Sequence, residues 1–326
     1  MSHPGKQNLI TDIAGISIGN AHDSDAVTGT SVILCETPSV AAVAVAGGGP
    51  GTRETDLLPS DKLVEHVNAI VLSGGSAYGL AAADGVAAAL GARGIGFGLT
   101  DAPGVPKTPI VPAAILYDLA NRGNKDWQET PPYQQLGKDA LANAKNDGLA
   151  LGRIGAGYGA LAGRHKGGLG SASIITQDDM QVGALAAVNS FGSVFMPGTD
   201  AFWAWPYEID GEFGGARPPA DYQADAEDWG AAKQNPQIGE NTTIACIATD
   251  IALTPGQAHR VAQMALAGFA RAIRPVFAPF DGDVVFVIST AKKPLPGPEP
   301  LSLARLGELA ANTLARAIAR GVYEAQ

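Results

Sequence analysis

From Thr242 to the last residue the chain reads as strand, helix, strand, helix, and this unit restricts the possible folds more than any other feature. TTIACIATD (242–250) has the composition of a buried strand. Thr254 can cap the helix that follows, with Pro255 at its first position. Ala262, Leu266, Phe269 and Ile273 fall on one face of that helix. GDVVFVIST (282–290) is a second strand of strong β character. After the linker KKPLPGPEP, residues 301–321 form an amphipathic helix. A β-α-β-α unit cannot cover its own sheet, so the rest of the chain must supply partners.

The rest of the chain has them. Residues 31–47 read as two β runs joined at Glu36-Thr37-Pro38. Ala69 to Leu72 form a buried strand, Gly74 and Gly75 turn the chain, and SAYGLAAADGVAAAL (76–90) is a small-residue helix able to pack close to a sheet. Residues 110–119 (IVPAAILYDL) are apolar, but Pro112 leaves their type open. A helix is expected over 134–146, and residues 171–192 form a hairpin turning at Gln177-Asp178-Asp179. Residues 208–240 lack hydrophobic periodicity and read as a long exposed loop, of a length that suggests function or processing. No internal repeat is visible.

Composition narrows the function. In 326 residues, 46% are hydrophobic and 17% charged, enough for a packed core. The net charge of −10 comes without any basic block, which argues against nucleic acid and anionic membranes as partners. The N-terminal segment has no apolar run of a signal peptide, and no stretch of about 18 apolar residues could span a membrane. Cys35 and Cys246 both lie in apolar strand-like runs and are expected to be core thiols of a cytoplasmic protein. The histidines and cysteines show no metal-binding spacing, so neither metal nor other cofactor is expected.

The chemistry centres on the junction at Asn241-Thr242, where the polar stretch meets the buried strand. A threonine hydroxyl is a weak nucleophile without a neighbouring base. If the bond before Thr242 were cut, the freed α-amino group, with a pKa near ~7.7–8.0, would be that base. Read alone, composition favours a Thr that merely starts a strand. Asp281 and Asp283 stand two apart and point to one face of their strand, where two carboxylates would titrate together; alone, they are as readily a solvated turn. Lys166 in RHKGGLGS and Asn189 in AAVNSFG have equally plain structural readings. GGGPGT (47–52) is followed by Arg53 and is no phosphate loop; GGSAY (74–78) has Tyr78 where a nucleophile elbow needs Gly. The turn at Gly74 and Gly75 is expected instead to present backbone N–H groups to a substrate cleft.

NTTIACIATD (241–250) resembles the cleavage-site segment of the aminopeptidase and nylon-oligomer hydrolase family of N-terminal-nucleophile enzymes. AGGGPGTRETDLL (46–58), VLSGGSAYGLAAADGV (71–86), KGGLGSAS (166–173), ALAAVNSFG (184–192) and FDGDVVFVIST (280–290) resemble its other blocks in order, across nearly the whole chain. The D-stereospecific and β-peptidyl aminopeptidases have a Gly-Ser scissile bond and a Ser-x-Glu pair. Asn241-Thr242 and Asp281-Gly282-Asp283 resemble the nylon-oligomer hydrolase branch instead.

The resemblance implies a single catalytic domain with a four-layer αββα sandwich, two central sheets covered by helices. It also implies self-cleavage into a large subunit (1–241) and a small one (242–326) that stay associated. The implied roles are Thr242 as nucleophile, Lys166, Asp281 and Asp283 as the groups that tune and shuttle its protons, and Asn189 as an oxyanion donor. Tyr117 in ILYDL is read either as a further oxyanion or substrate contact or as a half-buried core residue. The implied substrates are linear amides such as 6-aminohexanoate oligomers, and the implied assembly is a homo-oligomer, a tetramer of cleaved units. Rival readings are an aminopeptidase releasing L-, D- or β-amino acids, an acyl transferase like the ornithine acetyltransferases, and an uncut, non-enzymatic binding protein.

Overall fold

The computed structural model describes residues 2–100, 102–233 and 241–326. Its strands are β1 (Ile16–Asp23), β2 (Thr28–Val45), β3 (Thr52–Arg53), β4 (His66–Ser73), β5 (Ala113–Ile115), β6 (Leu161–Ala162), β7 (His165–Lys166), β8 (Leu169–Ile175), β9 (Gln181–Asn189), β10 (Thr242–Ile251) and β11 (Val284–Lys293). The helices are α1 (Ala81–Gly91), α2 (Tyr133–Ala142), α3 (Pro255–Ala272) and α4 (Glu299–Tyr323).

Alternation along the strands separates the layers, because successive side chains face opposite sides of a sheet. Ile244, Cys246 and Ala248 of β10 and Val284, Phe286 and Ile288 of β11 share a core with Ile33 of β2 and Ile70 and Leu72 of β4. The opposite faces of β10 and β11, through Ala245, Ile247, Val285 and Val287, pack on α3 and α4. Val32, Ala69 and Val71 pack instead on α1 and α2. The order is helix, sheet, sheet, helix: a four-layer αββα sandwich.

The two central layers are joined to each other through hydrogen bonds. Both layers belong to one hydrogen-bonded sheet in the order β3-β5-β4-β2-β11-β10-β9-β8, with β1 on β2. β2 joins them. Its first half pairs with β1 and β4, its last residues pair with β11, and its register against β4 shifts between Leu34 and Ser39. Glu36-Thr37-Pro38 is therefore an irregularity within one strand. Pro38 lacks the N–H that a regular ladder requires, which is the physical reason the sequence reads as a break there.

The C-terminal unit forms as its pattern predicts: β10 and β11 are parallel, with α3 as the crossover. The Thr254 hydroxyl accepts from the Gln257 N–H, and the Gln257 side chain returns to the Thr254 N–H, a reciprocal cap. The hairpin of β8 and β9 also forms. The small-residue helix packs against a helix as well as the sheet: a Cβ on Gly85 would lie 2.0 Å from the Gln134 carbonyl oxygen, and one on Gly137 2.1 Å from that of Ala82. Cys35 and Cys246 are buried free thiols, their ionisation pushed up by burial. Among the described residues no helix is long and apolar enough to cross a membrane.

The stretch 208–233 carries no strand or helix, as expected, but it is anchored rather than wholly exposed. Phe213 is buried, and Arg316 of α4 donates to both Glu212 oxygens at 2.5 and 2.9 Å. Residues 234–240, the end of the stretch, lie outside the described residues.

Candidate active site

The sheet brings most of the candidate residues to one place. Thr242 opens β10, with Asn189, the last residue of β9, as its antiparallel partner. On the other edge Asn241 bridges in parallel to Asp281. Asn241, Thr242, Asn189, Asp281 and Asp283 are all at most 2% exposed. The Thr242 hydroxyl donates to the Asn241 carbonyl oxygen at 2.5 Å, so the nucleophile candidate lies against the peptide it would attack. Among the described residues, both polar atoms of the Asn241 side chain are buried without a hydrogen-bond partner. An arrangement of that kind costs free energy.

The two aspartates are held by backbone donors. Asp283 accepts from Thr243 N–H at 2.7 Å and Phe277 N–H at 3.3 Å; Asp281 accepts from Ala278 N–H at 3.0 Å. Burial nevertheless dominates. It raises Asp281 to about 6, against the lowering pull of the Ala278 N–H and of Lys233. It raises Asp283 to about 7, helped by the charge of Asp281. Two such carboxyls retain one proton between them near neutrality and can both give and take one.

The glycine run 47–49 has its explanation here. Gly49 N–H donates to the Asp281 carbonyl at 2.7 Å, Gly48 N–H to that of Ala278 at 3.3 Å, and Ala46 N–H to that of Asp283 at 3.0 Å. A Cβ on Gly47 would sit 2.3 Å from the Asp281 carbonyl oxygen. These amides cradle the chain's own turn 278–283, where a phosphate loop would cradle an anion.

Asn189 is placed beside Thr242, but its amide is engaged: Nδ2 donates to the Tyr117 carbonyl at 2.9 Å and Oδ1 accepts from Leu161 N–H at 2.9 Å. It thereby fixes the main chain of Tyr117. Tyr117, Asp118, Asn121, Leu161, Asn189 and Lys233 line a cleft of about 100 Å³. Lys166 stands in β7 across from Leu161, with an exposed side chain; among the described residues it shares no hydrogen bond with Thr242 or the aspartates. Gly74 and Gly75 do not offer free donors. Gly74 N–H donates to the Gly29 carbonyl at 2.8 Å and Gly75 N–H to Asp118 at 2.7 Å. Their tight turn, with Gly75 at φ +88°, buries Asp118 and so supports Tyr117.

Two residues escaped the sequence reading. Lys233 reaches toward the Asn189 carbonyl at 3.5 Å, and its charge opposes the rise of Asp281. Asp118 is 3% exposed, and burial raises it to about 6, against the lowering pull of the nearby Thr28 hydroxyl and of the hydrogen bond from Gly75 N–H. A charged residue inside the apolar run ILYDL was the available signal for Asp118. Lys233 lies where no periodicity marks position.

An αββα sandwich with a hydroxyl residue at the head of a central strand is the architecture of the N-terminal-nucleophile hydrolases. The chain belongs to peptidase family S58, whose model matches residues 8–326, and is a hydrolase of amide bonds. It is 40% identical to an uncharacterized aminopeptidase of Mycobacterium tuberculosis, over 98% of this chain and 94% of that protein. It is 30% identical to the 6-aminohexanoate-oligomer endohydrolase of a Kocuria species, over 93% and 80%. The L-aminopeptidase D-Ala-esterase/amidase of Ochrobactrum anthropi, described as a variant of the Ntn hydrolase fold, superposes with a TM-score of 0.69 at 19% identity. That match covers all of this chain and 88% of the other.

Proposed function

We propose that the chain cuts itself between Asn241 and Thr242, and that Thr242, now an N-terminus, is the nucleophile of the amide hydrolase. The observation carrying this reading is the junction itself: a buried hydroxyl held 2.5 Å from the carbonyl oxygen of the preceding residue, at the head of the central strand. The ionised member of the Asp281–Asp283 pair accepts the hydroxyl proton as Thr242 attacks the Asn241 carbonyl. The resulting ester is hydrolysed by water. The freed α-amino group then serves as the base in turnover, where a substrate acyl group passes to Thr242 and on to water.

The sheet supports continued association of 1–241 with 242–326. β10 lies between β9 and β11, and β11 between β10 and β2, so each strand of the small fragment pairs with one from the large. Intact-mass measurement of purified protein should give two chains, the smaller beginning with Thr242. Thr242→Ala should give one chain and no turnover. A single unbroken wild-type chain that still hydrolyses amides would refute the proposal. Assembly of cleaved units into a homotetramer is proposed on the family resemblance.

The proposed substrates are linear ω-amino-acid amides such as 6-aminohexanoate oligomers, cut internally. Support comes from the endohydrolase relative and from Asn241-Thr242 and Asp281-Gly282-Asp283. A second reading, an aminopeptidase, is favoured by the higher identity to the mycobacterial protein and by Asp118 in the cleft wall, an acid of the kind that anchors a free amine. Comparison of free with N-acetylated oligomers separates the two. Equal rates support internal cleavage; loss on acetylation, reproduced by Asp118→Asn with free substrate, supports the aminopeptidase.

A further inference from the structure

Self-cleavage needs a donor for the oxyanion that forms on Asn241, and the structure points to one that no side chain supplies. We propose that the backbone N–H of Gly282 is the oxyanion donor of the processing step, an inference that rests on the self-cleavage reading above. Gly282 N–H donates to the Asn241 carbonyl oxygen at 3.0 Å in the uncut chain. Among the described residues the only other donor to that oxygen is the Thr242 hydroxyl, the attacking group itself. The Asn189 amide, the donor expected from sequence, faces the Tyr117 carbonyl instead.

The donor is fixed before reaction, which is what makes such a group effective. Asp281 N–H donates to the Ala278 carbonyl at 2.9 Å, the Asp281 carboxylate accepts from Ala278 N–H at 3.0 Å, and Gly49 N–H holds the Asp281 carbonyl at 2.7 Å. Position 282 also has no room for a side chain. A Cβ there would lie 2.6 Å from the Thr242 hydroxyl oxygen and 2.8 Å from the Gly49 carbonyl oxygen. Glycine at 282 thus lets one peptide group approach both the nucleophile and the bond it attacks.

In the step itself a lone pair of the Thr242 hydroxyl oxygen forms the new C–O bond. The carbonyl π pair moves onto the Asn241 oxygen, where Gly282 N–H receives it, and the hydroxyl proton passes to the ionised carboxylate of the aspartate pair. The C–N bond then breaks with its electron pair on the Thr242 nitrogen, which takes that proton back. Water hydrolyses the ester, leaving a carboxylate on Asn241.

Gly282→Ala clashes with Thr242 and would confuse folding with chemistry, so the test removes only the N–H. Gly282 is replaced by glycolic acid through suppressor-tRNA translation, which turns the 281–282 amide into an ester of the same shape. A control ester, α-hydroxy acid in place of Phe286, removes an N–H further along β11, away from the junction. Mass spectrometry follows cutting at 241–242 over time. The expected result is processing slowed by roughly 10²-fold or more at 282 and within a few-fold of wild type at 286. Equal rates for the 282 ester and wild type overturn the assignment, as does equal slowing by both esters, which would mark a merely structural ladder bond. A wild-type chain that stays whole overturns the self-cleavage reading, and this assignment with it.

Discussion

Asp283→Asn, made in a Thr242→Ala chain so that every molecule stays uncut, isolates the cost of burying the carboxyl pair. The folded chain holds Asp283 near 7 where an ordinary aspartate sits at 3.8, chiefly through burial. Each pKa unit is worth about 1.4 kcal/mol, so ionising this group costs about 4 kcal/mol more in the folded than in the unfolded state. Between pH 4 and 7 the folded chain keeps a proton that the unfolded chain releases. Stability therefore falls as pH rises through that window and levels off above it. Asparagine cannot ionise. Its carbonyl oxygen can still accept from Thr243 N–H, but its amide group opposes Phe277 N–H, a loss of about 1 kcal/mol. The variant should be about 1 kcal/mol less stable than its parent at pH 4 and about 3 kcal/mol more stable at pH 8.5. Urea unfolding followed by tryptophan fluorescence across that range measures the difference. A stability gap independent of pH would refute the argument, because it would mean that Asp283 is ionised in the folded chain throughout.

Lys233→Ala should move the acid limb of the processing rate to higher pH, because its charge favours the ionised form of Asp281. At about pH 5, a unit below the Asp281 value, the fall is roughly threefold, the effect of about half a pKa unit, and an unchanged profile would remove Lys233 from the site. Gly170→Ala tests the close approach of α4 to β8, where an added Cβ would sit 1.9 Å from the Ala317 carbonyl oxygen. It should lower stability by about 3 kcal/mol, the upper end for overpacking, because the clash is with backbone, and a thermal midpoint equal to wild type would contradict the packing.

Much of the fold was legible because it rests on local periodicity. The β-α-β-α unit and the β8–β9 hairpin carry their own spacing, caps and turns, so pattern and structure agree. The continuity of β2 through Pro38 was not legible: a proline between two β runs looks the same whether the chain turns or merely shifts register. The glycines at 47–49 were recognised as a motif but not as a cradle, since their partners are carbonyls at 278–283, distant in sequence. At the site, the pairings of Thr242 with Asn189 and of Asn241 with Asp281 depend on strand order, which single-strand patterns do not encode. The family resemblance named Asp281 and Asp283; only the fold shows that burial, more than their mutual charge, sets their proton affinity.

The position of the junction also decides what kind of cutting is physically reasonable. A protease acts on extended, accessible backbone, which is why nicking concentrates in exposed loops. The polar stretch before the junction offers such backbone through much of 214–230, yet the proposed bond joins residues that are 0% and 2% exposed and already paired within the sheet. An external enzyme would have to unpair the head of β10 from both β9 and the 281–283 segment to reach it. The Thr242 hydroxyl is there already, with a hydrogen-bonded carbonyl beside it and the two buried carboxyls of Asp281 and Asp283 in the segment leading into β11. The proposed cut is therefore one that the folded chain would make upon itself, and folding would have to precede it: a chain that cannot pair β10 with β9 and the 281–283 segment has neither the donor nor the carboxylates in place.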